Sequence, residues 1–487
     1  MKKVSLLGGA PHVICGVPPV MHGASWGPDD VIYYSPAHSW GIHKVSASGG
    51  ESQIVTTPDG SKGELGHYWP QVLPGGKAIL FTIGTREDFD DARIVAQTLE
   101  TGERKVLIDR GTYGRYLPTG HLVYARAGSL LAAPFDLSRL EVEGTPIPVV
   151  EGVKVDSRSG AANFSYSNAG SLLYVSGKSD SNAQELVWVD RRGQARPLME
   201  ARHAFYTPSL SPDGQRLAIC IKRVTQNIWV YDMARGALAK LSFEEDWGPV
   251  WTPDGSQIAY TSGKVRTPPA IALRPADGSG EEEQLVAGET PVFTGSWSPD
   301  GKVLAYTNAP VDLISPGRST GHDIWLLRLD GERKPEPFLQ SQSDESAPEF
   351  SPEGRLLAYV SNESGRNEVY VVAFPGPGGK WQISTGGGTS PRWTRNGREL
   401  FYRNGNKMMA VAISLQPTFK ASTPRVLFEG EYEEAGRPDG PRNYDVTPDG
   451  QHFVMIKPYE GPSTPSQLIV ALEWFDDLSR RATGKPE

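Results

Sequence analysis

An all-β chain of four-stranded blades, arranged as tandem β-propellers with the second six-bladed and the first incomplete, is what this sequence predicts. Three observations carry the prediction. The first is a recurring turn phrase: Ser211-Pro-Asp-Gly214, Thr252-Pro-Asp-Gly255, Ser298-Pro-Asp-Gly301, Ser351-Pro-Glu-Gly354 and Thr447-Pro-Asp-Gly450. Degenerate copies stand at Gly27-Pro-Asp-Asp30, Leu73-Pro-Gly-Gly76, Leu117-Pro-Thr-Gly120, Ser167-Asn-Ala-Gly170 and Thr394-Arg-Asn-Gly397. Successive copies lie 41 to 53 residues apart, a period that marks propeller blades when each unit holds several strands. The second is the setting of the phrase. In Trp251-Thr-Pro-Asp-Gly-Ser-Gln-Ile-Ala-Tyr260 an aromatic residue closes one strand and an alternating apolar run opens the next. Pro fixes φ, Asp bonds its own backbone and Gly accepts positive φ, so the turn has a mechanism. The third is composition: 54 glycines and 40 prolines in 487 residues suit short strands joined by turns.

The elements follow in order. Residues 4–14 align without a gap on residues 45–55, the back half of a repeat, so the chain is expected to begin in the middle of a blade. Unit one spans about 23–60, with strands at 31–34 and 42–45. Unit two spans 68–111, with strands at 78–82 and 94–98. Unit three begins at Tyr113 and has strands at 122–125 and 130–134. Unit four begins at Ala162 and has strands at 172–175 and 185–189. Units five to ten carry third strands at 227–232, 270–273, 323–327, 368–372, 407–412 and 467–472, all rich in β-branched and aromatic residues. No segment of ten or more residues keeps a helical period without Gly or Pro, except Trp474-Phe-Asp-Asp-Leu-Ser-Arg-Arg481, which predicts a short helix.

These units predict an incomplete, less stable propeller over 1–203, docked against a closed six-bladed one over 204–478, and a disordered tail over 479–487. Unit ten lacks a fourth strand. The segment Ala195-Arg-Pro-Leu-Met199 is expected to pair with residues 467–472 and close the second ring, its Pro197 suiting an outermost edge. The competing expectation leaves it as the fourth strand of unit four.

Charge and motifs exclude several functions. A net charge of −8 argues against nucleic acid or an anionic membrane as partner. No run approaches the ~20 apolar residues of a membrane helix, and Gly8, Gly9 and Pro11 interrupt the first apolar stretch, against a signal peptide. A cytoplasmic location is the default that this leaves. Cys15 and Cys220 stand in separate repeats and read as buried small hydrophobes, not a disulfide framework. Gly23-Ala-Ser-Trp-Gly27 and Gly317-Arg-Ser-Thr-Gly321 match a nucleophile elbow, but neither falls at a strand-to-helix turn. The nine histidines show no metal-ligand spacing. Gly386-Gly-Gly388 opens no helix and reads as a turn. The acidic run Asp277-Gly-Ser-Gly-Glu-Glu-Glu283 reads as a solvated hairpin. No catalytic residue, metal site or cofactor is expected.

Trp297-Ser-Pro-Asp-Gly-Lys-Val-Leu-Ala-Tyr306 and Tyr359-Val-Ser-Asn-Glu-Ser-Gly-Arg-Asn-Glu-Val-Tyr370 resemble the TolB-like propellers of bacteria. Pro375-Gly-Pro-Gly-Gly-Lys-Trp-Gln-Ile-Ser-Thr-Gly-Gly-Gly388 resembles the propeller region that follows the kinase domain in bacterial serine/threonine protein kinases. The resemblance implies the sensing or scaffolding half of such a protein. In a membrane-anchored kinase that half would be extracytoplasmic. The kinase motifs themselves, a glycine-rich loop with its strand lysine, His-Arg-Asp and Asp-Phe-Gly, do not occur in this chain. No kinase role passes to any residue, and the chain is expected not to transfer phosphoryl groups.

A ligand site on a propeller belongs at the central channel, where the inner strands start. The candidate positions are Tyr206, Asp246, Trp247, Phe293, Glu345, Arg392 and Tyr444. Aromatic residues there also serve simply to plug a channel. The preferred function is a non-enzymatic binding, sensor or scaffold module that recognises a protein, peptide or small ligand. The alternative is an enzyme, either the severed kinase or a propeller-based hydrolase or lyase.

Overall fold

The computed structural model describes the chain except residues 19–20, 86–88, 158, 178–183, 224, 264–268, 288–289, 310–320, 377, 434–441, 460–466 and 483–487. The first four residues of the 317–321 phrase therefore lie outside the described residues. Each turn phrase folds as its chemistry dictates. In the first complete copy Gly214 adopts φ 71° and its N–H bonds Ser211 O at 2.8 Å, while Asp213 Oδ1 accepts from Gln215 N at 3.0 Å. The hydroxyls of Ser211, Thr252, Ser298 and Thr447 donate to the turn carboxylates, which holds Asp213, Asp254, Asp300 and Asp449 below the usual carboxylate range. In residues 204–459 each turn also rests on the one before it in the ring. A Cβ added to Gly255 would meet Pro212 at 3.4 Å, and one added to Gly214 would meet Pro448 at 3.2 Å.

That last contact joins the two ends of a ring. Five antiparallel blades start at the inner strands Ala204–Leu210, Glu245–Trp251, Val292–Trp297, Glu345–Phe350 and Thr389–Trp393, the first four of them four-stranded and the fifth five-stranded. The sixth blade runs, from the inside out, Tyr444–Val446, His452–Pro458, Gln184–Asp190, Ala195–Pro197. Six apolar clusters glue consecutive sheets in cyclic order. One joins the sixth blade to the first through Leu186, Val454, Phe205 and Leu217. Another joins the fifth blade to the sixth through Phe401, Met408, Phe428 and Phe453. The remaining four fill the other interfaces. The second unit is thus a closed six-bladed propeller, and closure leaves its inner and middle strands no free edge.

The closing strands differ from the expectation. Gln184–Asp190, assigned from sequence to unit four, pairs with His452–Pro458 over its whole length, from Gln184↔Pro458 to Asp190↔His452. Ala195–Pro197 pairs with Gln184–Asp190, not with residues 467–472. It is the outermost strand, the position its proline requires. Leu468–Ala471 leaves the second unit altogether and pairs with Leu172–Val175, with Leu172 opposite Ala471. The second unit is therefore inserted between the second and third strands of a blade of the first. Each blade so interrupted finds its third strand at the far end of the chain.

The first unit is an open arc. Its sheets start at Ala24–Trp26, Glu64–Val72, Thr112–Leu117 and Phe164–Tyr166, and a two-stranded piece, Lys2–Lys3 with His12–Val13, precedes them. That piece is the back half of a blade: Lys2↔Val13 repeats His43↔Ile54 one period later, as the 4–14 alignment predicts. Apolar clusters join each sheet to the next. Among the described residues no cluster joins the last sheet back to the first. The last sheet leaves Leu173, Leu468, Val470 and Leu472 exposed.

Contacts divide the chain accordingly, into Met1–Ser181 with Arg223–Thr225 and Glu460–Glu487, and Asn182–Lys222 with Gln226–Tyr459. The boundary expected at 203/204 shifts because residues 184–197 belong to the second ring. The disordered tail expected over 479–487 is corrected as far as Ala482, because the helix Trp474–Ala482 continues through it, and the rest lies outside the described residues. The helix buries Trp474 and Leu478 against Leu117, Leu130 and Val149, with Asp476 and Asp477 in its first turn and Arg480 and Arg481 in its last. Among the described residues no helix is long and apolar enough to cross a membrane.

Candidate functional site

Counting back from each turn glycine gives one register for every inner strand. Seven residues before it the backbone turns left-handed, at Thr207 (φ 49°), Gly248 (65°), Ala347 (51°) and Ser390 (54°), and a proline follows in each case. The pairing to the second strand slips there, as between Tyr206 and Ser209 or Ser346 and Glu349. This repeated β-bulge re-aims the residues around it. The residue eight before the glycine starts the bulge. The residue five before it reaches the inner strand of the next blade.

The five-back residues form a belt about the channel of the second unit: Ser209, Val250, Ser296, Glu349, Arg392 and Asp445. Ser296 Oγ accepts from Phe350 N at 2.8 Å, and Asp445 Oδ2 accepts from Leu210 N at 2.7 Å, each a bond to the next blade. The charged half is compact. Arg392 Nη1 donates to Glu349, its Nε lies 2.8 Å from Asp445 Oδ1, and Arg442 Nη1 donates to Glu349 Oε2 at 2.6 Å. Burial alone would lower the pKa of Arg392, but Asp445 and Glu349 more than offset it, so the guanidinium stays charged. Glu349 and Asp445 are 3% and 0% exposed, so each carboxylate needs these partners.

The neutral half borders an opening lined by Thr207, Pro208, Gly248, Val250, Thr294 and Arg442, with Pro249, Gly295, Ala347 and Pro348. Small residues at the left-handed positions create this space. Among the described residues Arg442 is its one charged lining residue, and the buried Arg442 Nε has no hydrogen-bond partner among them.

The seven sequence candidates fall in different registers. Tyr206, Trp247 and Phe293 hold the eight-back position, half-buried at the start of the bulge, with Trp247 and Phe293 ring centroids 6.4 Å apart. Asp246 and Glu345 stand one residue earlier and are buried. Burial pushes the Asp246 carboxyl up to about 6, against the pull of Ser242 and Ser262. Burial also raises Glu345, whose Oε1 accepts from Ser341 Oγ at 2.6 Å, and Asp323 adds to the rise. Arg392 is in the belt. Tyr444 is 1% exposed, packs between the fifth and sixth blades and donates to Ser390 O at 2.8 Å, which makes it part of the interblade core. The structure therefore brings the mouth aromatics together on one side of the channel and Arg392 into the ion cluster, with Tyr444 buried behind that cluster.

Sequence reasoning missed Arg442, Glu349 and Asp445. Their signal was present: Arg442 stands eight residues before Gly450, level with Tyr206, Trp247 and Phe293, and the other two stand five before Gly354 and Gly450. Among the described residues no three His, Cys, Asp or Glu side chains are grouped to hold a metal ion.

The channel can be set beside known proteins. No family model and no curated protein matches the chain. Solved structures do. A putative TolB from Agrobacterium tumefaciens is 18% identical, with TM-score 0.46, over 57% of this chain and 99% of that one. TolB from Acinetobacter baumannii is 14% identical, with TM-score 0.39, over 75% and 80%. The tricorn protease is 10% identical, with TM-score 0.39, over 94% and 63%.

Proposed function

We propose that the chain is a non-catalytic β-propeller module that holds a peptide segment or small ligand at the channel of its second unit. The observation that carries the reading is the opening between the neutral belt residues and Arg442. It is concave, built on inner strands, and set beside a cation whose Nε has no acceptor among the described residues. The strained bulges support it. Left-handed backbone at Thr207, Ala347 and Ser390 costs on the order of 1–3 kcal/mol each, and such strain collects where a site must be shaped.

The test is selection of random peptides displayed on phage against the full chain, repeated with Val250→Trp. The tryptophan fills the opening from a half-buried strand position. Clones enriched on the wild type should lose binding to the variant. Clones that bind both proteins equally would refute a channel site.

A second reading rests on the phrase running from Pro375 to Gly388. It supports a role as the sensing half of a bacterial serine/threonine kinase. The expected outcome is that the pure chain, lacking the kinase motifs, labels no substrate with ATP. Labelling abolished by a point substitution within the chain would overturn it.

A further inference from the structure

The first unit holds an arginine that no described carboxylate neutralises. Arg115 stands five residues before Gly120, the belt position that Arg392 occupies in the second unit. Arg392 is neutralised by Glu349 and Asp445. Among the described residues Arg115 has no carboxylate within ion-pair distance. Its guanidinium is nonetheless fixed. Nη1 donates to Trp69 O and to Gly114 O, each at 2.9 Å, and the group lies over the Tyr113 ring with Cζ 4.0 Å from the centroid. The Nε and Nη2 hydrogens have no acceptor among the described residues. A guanidinium held in place with one edge unsatisfied is a ready partner for a planar oxyanion.

The walls beside it are unusual for their position. Trp69 and Tyr113 occupy the left-handed site of their bulges, at φ 57° and 56°. The second unit places Thr207, Gly248, Ala347 and Ser390 there. A bulky residue at positive φ is a conformational outlier and persists only where its surroundings fix it. Here they do. Trp69 N donates to His22 O at 2.9 Å and Trp69 Nε1 to Ser159 O at 2.7 Å, while Tyr113 N donates to Thr82 Oγ1 at 3.1 Å. The two half-buried rings stand 5.1 Å apart, beside the guanidinium. Channel packing alone explains an aromatic residue at the axis, but leaves the uncompensated cation between such residues without a role.

We propose that Arg115, Tyr113 and Trp69 form a second binding site, in the first unit, for a ligand that carries a carboxylate next to an aromatic or apolar group. The carboxylate takes the open edge of the guanidinium, and the apolar part lies against the exposed parts of the two rings. The site shares no residue with the second channel and does not depend on the function assigned to it.

The test uses the full chain with two probes, indole-3-acetate and its neutral counterpart indole-3-acetamide, titrated by ligand-observed NMR. The acetate should bind about ten-fold more tightly than the amide, the size of a charge-assisted hydrogen bond. Arg115→Gln should bring that ratio close to one. Ser165→Glu tests the same point without removing any contact. Ser165 is exposed at the belt position of the next inner strand, so the new carboxylate supplies the counter-charge that Asp445 supplies to Arg392. It too should abolish the preference. Equal affinities for the two probes on the wild type would overturn the site, as would a preference that survives Ser165→Glu.

Discussion

Replacing Asp246 by Asn should stabilise the second unit at neutral pH and leave it unchanged in acid. Asp246 is 1% exposed, and its buried Oδ1 has no hydrogen-bond partner among the described residues. Its Oδ2 accepts from Glu244 N at 3.1 Å. Burial raises the carboxyl from 3.8 to about 6 in the folded chain. The sign follows from linkage. The folded state holds the proton more tightly than the unfolded state, so this group adds stability below its ordinary value. That contribution is lost as pH rises through about 6. The difference corresponds to about 2–3 kcal/mol. Asparagine mimics the protonated acid at every pH. Urea unfolding of wild type and Asp246→Asn should therefore show a gap of up to about 2–3 kcal/mol above pH 7. The gap should close as the pH falls towards 4. A variant that is less stable than the wild type at every pH, by a constant amount, would refute the reasoning and make the ionised carboxylate a net stabiliser of the blade.

Three further outcomes follow from the packing. Leu186→Ala, in the strand that closes the second ring, should cost about 2–5 kcal/mol in denaturant unfolding, because Leu186 is fully buried against Phe205, Leu217 and Val454. Gly255→Ala should cost about 1–2 kcal/mol, since φ is 70° and the added methyl meets Pro212; thermal unfolding of the variant measures it. Limited proteolysis of the full chain should cut residues 1–181 before 184–459, because the first arc leaves a sheet face uncovered; equal protection of both would contradict this.

How much of this was legible in the sequence depends on the range of the interaction. The turns were legible because Pro, Asp and Gly act within four residues. The six blades followed from counting those turns, and the incomplete first unit from the alignment of 4–14 on 45–55. The bulges were not legible. Apart from Gly248, their left-handed residues are Thr, Ala, Ser, Trp and Tyr, which carry no local preference for positive φ, so only the packed ring forces them. That omission displaced the candidate site by a residue or more. Without the bulge, strand alternation points to Asp246 and Glu345, and with it the channel receives Arg442, Glu349 and Asp445. The closing strand was not legible for another reason. Residues 184–190 form the same β-branched and aromatic run whether they finish a blade of the first unit or the last blade of the second. The choice is made by pairing with residues 452–458, across more than half the chain. Once that edge is filled, Leu468–Ala471 is free to return to Leu172–Val175.

The channel of the second unit exists only if Gln184–Asp190 closes its ring, so that closure is the claim to test first. Fragments 182–459 and 191–459 differ by the strand that pairs with His452–Pro458. Circular dichroism melting with sedimentation of both fragments is the direct measurement. The longer fragment should be monomeric, with β-sheet dichroism and one cooperative transition. The shorter one, with its closing blade reduced to two paired strands and an open edge, should be unfolded or aggregated. Two monomeric fragments that melt at the same temperature would contradict the closure and, with it, the channel built upon it.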